Sequence, residues 1–187
     1  MKPVLRGVLL CSAYAAFAGL GLAFAFVHGT VSPVWPPTGL AIAALTLWGP
    51  RYWPAIAAGA FAANFWLAND PLFVSAGIAI GNTLEAVLGA TLLRHWQVCG
   101  EITRLHDAMR IFVTALLVPW ASALVGVLSL SAGGLSAWPQ FAPVALVWWF
   151  GDCMGCLIFL PLLLGFLGRS WQIRFPERRV EFAAICL

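Results

Sequence analysis

Charge is the scarcest thing in this sequence. Lys, Arg, Asp and Glu together make up 9% of its 187 residues, against roughly 25% in an average soluble protein. A chain this poor in charge cannot clothe a water-facing surface, so an ordinary soluble domain is excluded. Five cysteines are too few for a disulfide-stapled scaffold. Disordered and collagenous classes fail on the same apolar composition. The 10 basic residues do not gather into patches, which removes nucleic acid as a partner.

Signatures of chemistry are equally sparse. There is no phosphate loop, nucleophile elbow or H-E-x-x-H motif. His28, His95 and His106 fall in different segments, so no metal cluster and no cofactor is expected. Cys153-Met-Gly-Cys156 has the spacing of a redox or zinc pair but lies deep in an apolar stretch without partners, where small core residues are the better reading. Gly151-Asp152 shares two residues with the motif of intramembrane aspartate proteases. Position 149 is Trp where that motif has Gly, and a second membrane-embedded Asp is lacking. The chain is not expected to be an enzyme.

What is present is apolar length: 62% of the residues are hydrophobic. A helix that crosses the hydrocarbon needs about 20 mostly apolar residues. The sequence offers spans near 7–27, 37–49, 52–68, 72–93, 110–131 and 141–168, each bounded by Pro, Gly, Asn or charge. The predicted fold is an all-α, polytopic transmembrane bundle of six spans, with Phe182–Leu187 opening a seventh. The first span exceeds the 7–15 residues typical of a signal-peptide core, so it reads as an uncleaved helix. The second, only about 20 Å long, is expected to begin below the membrane surface. Pro161 is the expected bend in the long sixth span.

With the N-terminus in the cytoplasm, every Lys and Arg falls on the inner side, and the outer segments near 28–36, 69–71 and 132–140 hold none. This sets the orientation in the membrane, with Trp35 and Trp138 as outer interfacial aromatics. Residues 1–168 form the bundle; 169–187 read as a cytoplasmic loop and the start of a further span in a truncated chain.

Four polar residues lie inside the spans: Glu85, Asp152, Asn64 and Asn82. An ionisable side chain at such depth costs about 2.5–3.5 kcal/mol on insertion scales and needs a reason. Glu85 and Asp152 each lie roughly 16–20 Å below the outer end of their spans, close to the midplane. Gly77, Gly81, Glu85 and Gly89 share one helix face, and Gly151 and Gly155 flank Asp152, so both acids should face protein. Ala55, Gly59 and Ala63 make a similar face in the third span. No basic residue lies at that level to compensate the charge. Two readings follow. In one, the acids and amides are hydrogen-bonding glue between helices. In the other, Glu85, Asp152, Asn82, Trp148, Asn64 and Trp35 line an outward-opening pocket for a small ligand, a cation or a proton. The second span's N-terminus would then offer unpaired N–H groups to that ligand.

Several stretches in order resemble one family: Trp35-Pro-Pro-Thr-Gly39, Trp53-Pro54 with Gly59-Ala-Phe-Ala-Ala-Asn64, Gly81-Asn-Thr-Leu-Glu85, Leu92-Leu-Arg94, Pro119 with Ser122-Ala123, and Trp148-Trp-Phe-Gly-Asp152 with Pro161-Leu-Leu-Leu164. The set is similar to the type-1 membrane-associated sensor domain (MASE family) of bacterial signalling proteins. The resemblance covers about residues 30–168. It implies a sensory module that relays an unknown stimulus to a cytoplasmic histidine kinase or cyclic-di-GMP enzyme, with the bilayer and either a second copy or another membrane protein as partners. Such domains have about eight spans, and the catalytic signatures of an output domain are absent from these residues. The alternative is a small-molecule capture subunit of a membrane transporter, whose bundle would be complete at six spans.

Overall fold

The computed structural model of the protein describes residues 3–23, 32–98, 102 and 104–167. Among these residues it is all-helical, without a strand. The expected loop and further span at 169–187 lie outside them, as do residues 24–27 of the first expected span.

Seven α-helices follow in chain order among the described residues: α1 Pro3–Leu22, α2 Pro36–Trp48, α3 Trp53–Ala62, α4 Leu72–His95, α5 Leu105–Leu117, α6 Pro119–Ala132 and α7 Phe141–Leu167. A π-helical turn, Ala63–Leu67, prolongs α3. Prolines mark the starts. Pro36, Pro54, Pro119 and Pro139 occupy first-turn positions, where a missing N–H costs nothing. Four stretches are long and apolar enough to cross a membrane: Pro3–Leu22, Leu72–His95, Leu105–Ala132 and Trp138–Leu167. The third contains both α5 and α6, which meet at Pro119.

α2 is the centre of the bundle. It packs on α1, α4 and α7, and every residue from Pro36 to Thr46 is buried. A helix apolar all round suits an interior or lipid but not water, and burial on every side puts α2 in the interior. Its start is set deep. Trp35 N–H donates to the Gly151 carbonyl at 2.9 Å, and Gly151 is ten residues into α7, about 15 Å along its axis. The segment before α2 therefore runs down beside α7 before the helix begins. Non-helical backbone at such depth must be satisfied by protein. Ser32 is buried, and its hydroxyl donates to the Val34 carbonyl at 2.9 Å.

Glycines on α7 make room for this descent. A Cβ on Gly151 would strike the Ser32 carbonyl, and one on Gly155 the Trp35 carbonyl. Gly39 of α2 answers from the other side, its face 2.6 Å from the Gly155 carbonyl oxygen if a Cβ were added. The small-residue faces read from the sequence also meet protein. Gly77 abuts Ser129 and Gly81 abuts Val125 of α6, Gly89 abuts Ile42 of α2, and Gly59 abuts Tyr14 of α1. Close backbone approach of this kind is how helices associate without a hydrophobic driving force.

One expectation is corrected here. Trp35 was expected at the outer interface, but it is only 8% exposed and packs over Gly21, because the descending segment carries it into the bundle. The expected bend at Pro161 lies within α7, which remains continuous as a helix through that position. A helix is interrupted before Pro119, at Val118 between α5 and α6.

Candidate functional site

Three helices bring the deepest polar groups together. Glu85 projects from α4, Asp152 from α7, and Thr38 from the first turn of α2. The Thr38 hydroxyl lies 3.2 Å from Glu85 Oε2 and 2.9 Å from Asp152 Oδ1. One hydroxyl thus bridges two carboxyl groups that are 67 residues apart in sequence and each 1% exposed. The similar depths read from the sequence are realised at this bridge.

A second layer adjoins it. Ser122 of α6 donates to Asn82 Oδ1 at 2.7 Å, and Trp148 Nε1 donates to Ser122 Oγ at 3.1 Å. Ser122 and Trp148 also stand beside the Asp152 carboxyl. From α1, the Tyr14 phenol lies beside the Trp35 and Asn82 side chains and within electrostatic reach of both acids. The cluster draws on α1, α2, α4, α6 and α7, five of the seven helices.

The sequence-derived site residues divide accordingly. Glu85, Asp152, Asn82 and Trp148 converge, and Trp35 reaches the cluster's edge beside Tyr14. Asn64 is not brought into it. Its amide donates to the Ala60 carbonyl at 2.8 Å in its own helix, and its backbone carbonyl accepts from Asp70 N–H at 3.0 Å. The expected supply of free N–H groups at the α2 N-terminus is corrected too. Pro36 and Pro37 have no N–H, and Thr38 N–H is turned to the Trp35 carbonyl at 3.3 Å. What this helix end presents to the acids is the Thr38 hydroxyl and the positive end of the helix dipole.

Thr38, Ser122 and Tyr14 were missed as site residues. Thr38 and Ser122 stand inside the stretches that carry the family resemblance. The further signal was that Pro36-Pro37 fix the first turn of a helix and so place the next side chain at its mouth. Tyr14 is the one tyrosine in the first apolar run.

Cys153 has a different task. Pro119 cannot donate to the Ala115 carbonyl four residues earlier. Cys153 Sγ donates to that oxygen at 2.8 Å, and Trp149 Nε1 to the neighbouring Leu116 carbonyl at 2.9 Å. Trp149 and Trp120 also stack with ring centres 5.3 Å apart. Successive faces of α7 therefore do separate work: Trp148 and Asp152 serve the polar cluster, while Trp149 and Cys153 brace the break between α5 and α6.

The fold and its buried acid pair define a multi-pass, all-helical membrane protein with a polar centre. The chain matches the MASE1 family over residues 4–185 and belongs to it. It is thus a membrane-associated sensory domain of the kind found in signalling proteins. No curated protein and no solved structure matches the chain.

Proposed function

We propose that this domain senses a stimulus at the Glu85–Thr38–Asp152 cluster and relays it to a cytoplasmic output domain, a histidine kinase or a cyclic-di-GMP enzyme. The observation that carries the reading is the single hydroxyl shared by two buried carboxyls of different helices. Paired acids in a membrane interior are costly. Here they tie α2, α4 and α7 at one point, so any change at the pair bears on three helices together. A stimulus shifts such a bundle only if it favours one arrangement over another.

In this reading the domain carries no catalysis of its own. It crosses a bacterial inner membrane six times, with a seventh span beginning after residue 181 and the N-terminus in the cytoplasm. Two of the six spans are then the short helices α2 and α3, buried or braced by their longer neighbours. The all-inner distribution of Lys and Arg supports this orientation. A second copy or another membrane protein would be its partner. Nothing in the fold or the family match favours the capture-subunit alternative.

The test uses the full-length protein with its output domain. Glu85→Gln and Asp152→Asn should insert normally and change the output over the stimulus range. Output indistinguishable from wild type in both variants would refute the stimulus site. Reporter fusions at positions 94–104 should report cytoplasm, and fusions at 132–140 the outer side.

A further inference from the structure

Hydrogen counting at Thr38 leads one step further. Its hydroxyl carries one hydrogen and faces two carboxyl oxygens, at 2.9 and 3.2 Å. It can donate to only one of them. The other contact is a hydrogen bond only if that carboxyl carries a proton and donates to Thr38 Oγ1. Two ionised carboxylates would leave one oxygen pair face to face with no hydrogen between them.

A second observation concerns the atoms around this bridge. Among the described residues, Glu85 Oε1, Asp152 Oδ2, Asn82 Nδ2 and Trp35 Nε1 are buried without a well-formed hydrogen bond. Asn82 is 3% exposed, and its amide oxygen is already tied through Ser122 to the Asp152 side of the cluster. The two N–H donors face the Tyr14 hydroxyl, so the acceptors left bare at the acid pair are Glu85 Oε1 and Asp152 Oδ2. A proton held on the pair supplies a hydrogen where two bare carboxyl acceptors would otherwise face each other.

We propose that Glu85 and Asp152 jointly hold one exchangeable proton through Thr38, and that this proton is the ligand of the site. The inference rests on the cluster being the stimulus site. The proton belongs to the pair and not to either residue. On release, the pair passes from one negative charge to two, and one of the two Thr38 contacts loses its hydrogen. The mouth of α2 is then pushed from α4 or from α7. Among the described residues, the other titratable groups facing the pair are Tyr14 of α1 and Cys153 and Cys156 of α7. Helices α2, α3 and α6 contain no titratable side chain.

Infrared difference spectroscopy on the purified chain in lipid nanodiscs tests this, in an Asp70→Asn background that removes the other buried carboxyl among the described residues. The expected result is a protonated-carboxyl stretching band at neutral pH that shifts in deuterated buffer. It should weaken as pH rises, vanish in Glu85→Gln with Asp152→Asn, and persist in Thr38→Ser, which keeps the hydroxyl. Wild-type residues at 85 and 152 without such a band would overturn the proposal, as would loss of the band on adding sodium at constant pH. These two results need no variant at the pair, so they hold even if the double substitution fails to fold. They would leave the stimulus-site reading intact with a different ligand. A band present as expected, but with output of the full-length Glu85→Gln protein equal to wild type at every pH, would instead remove the stimulus site and the proton's role with it.

Discussion

Trp35 and Gly151 are joined by a backbone hydrogen bond of 2.9 Å that fixes where the central helix begins. That one contact sets the level of Thr38, and so brings its hydroxyl to two carboxyl groups. The descent depends on α7 having no side chain at Gly151 and Gly155, since a Cβ at either would meet the carbonyl of Ser32 or Trp35.

Gly155→Ala should therefore destabilise the bundle by about 1–3 kcal/mol, the usual cost of overpacking against a backbone that cannot yield. Gly165→Ala on the same helix has nothing within 4 Å of the new methyl and should be close to neutral. Unfolding curves in mixed detergent micelles would rank the two. Equal stability of both variants would mean that α2 is not seated against Gly155.

The break at Pro119 gives a paired expectation. Cys153→Ala removes the donor to the Ala115 carbonyl and should cost about 0.6–1.7 kcal/mol, the range for interhelical hydrogen bonds in membranes. Pro119→Ala restores a backbone N–H that can take the same carbonyl. In that background Cys153→Ala should cost markedly less. A double-mutant cycle on thermal stability measures the difference, and strict additivity would show that the thiol does not serve this oxygen.

Asp70 supplies the pH dependence. It lies in the turn before α4, and burial raises its carboxyl from the ordinary 3.8 to about 6. Between those values the folded chain binds more protons at this site than the unfolded chain does. Stability contributed here is therefore full below about pH 4, declines as pH rises toward about 6, and is level beyond it. Asp70→Asn should flatten the melting temperature across that window. An unchanged slope would assign the effect to another group.

Much of the fold was legible in the sequence because lipid allows few solutions. The spans expected from 37, 52, 72 and 141 begin within a residue of the observed helices, while those expected from 7 and 110 begin four and five residues earlier, at Pro3 and Leu105. The acids at 85 and 152 stood out because charge at that depth is costly. Thr38 was less legible: a hydroxyl costs little in a helix, so composition does not flag it. Trp35 misled because an aromatic beside two prolines at a span's edge looks interfacial, and only the bond to Gly151 shows the chain descending before the helix starts. Asn64 carried the same polar signal as Asn82, but its amide is spent on Ala60 one turn back, a local use that spacing does not distinguish from a shared site.

The central claim is that Glu85 and Asp152 form one unit through Thr38, and a double-mutant cycle with Glu85→Gln and Asp152→Asn tests it most directly. Unfolding free energies would be measured for wild type, each single variant and the pair in identical micelles. The account predicts strong coupling, with the double variant departing from the sum of the singles by about 1 kcal/mol or more. Additivity within about 0.5 kcal/mol would place the two carboxyls in separate environments and contradict it.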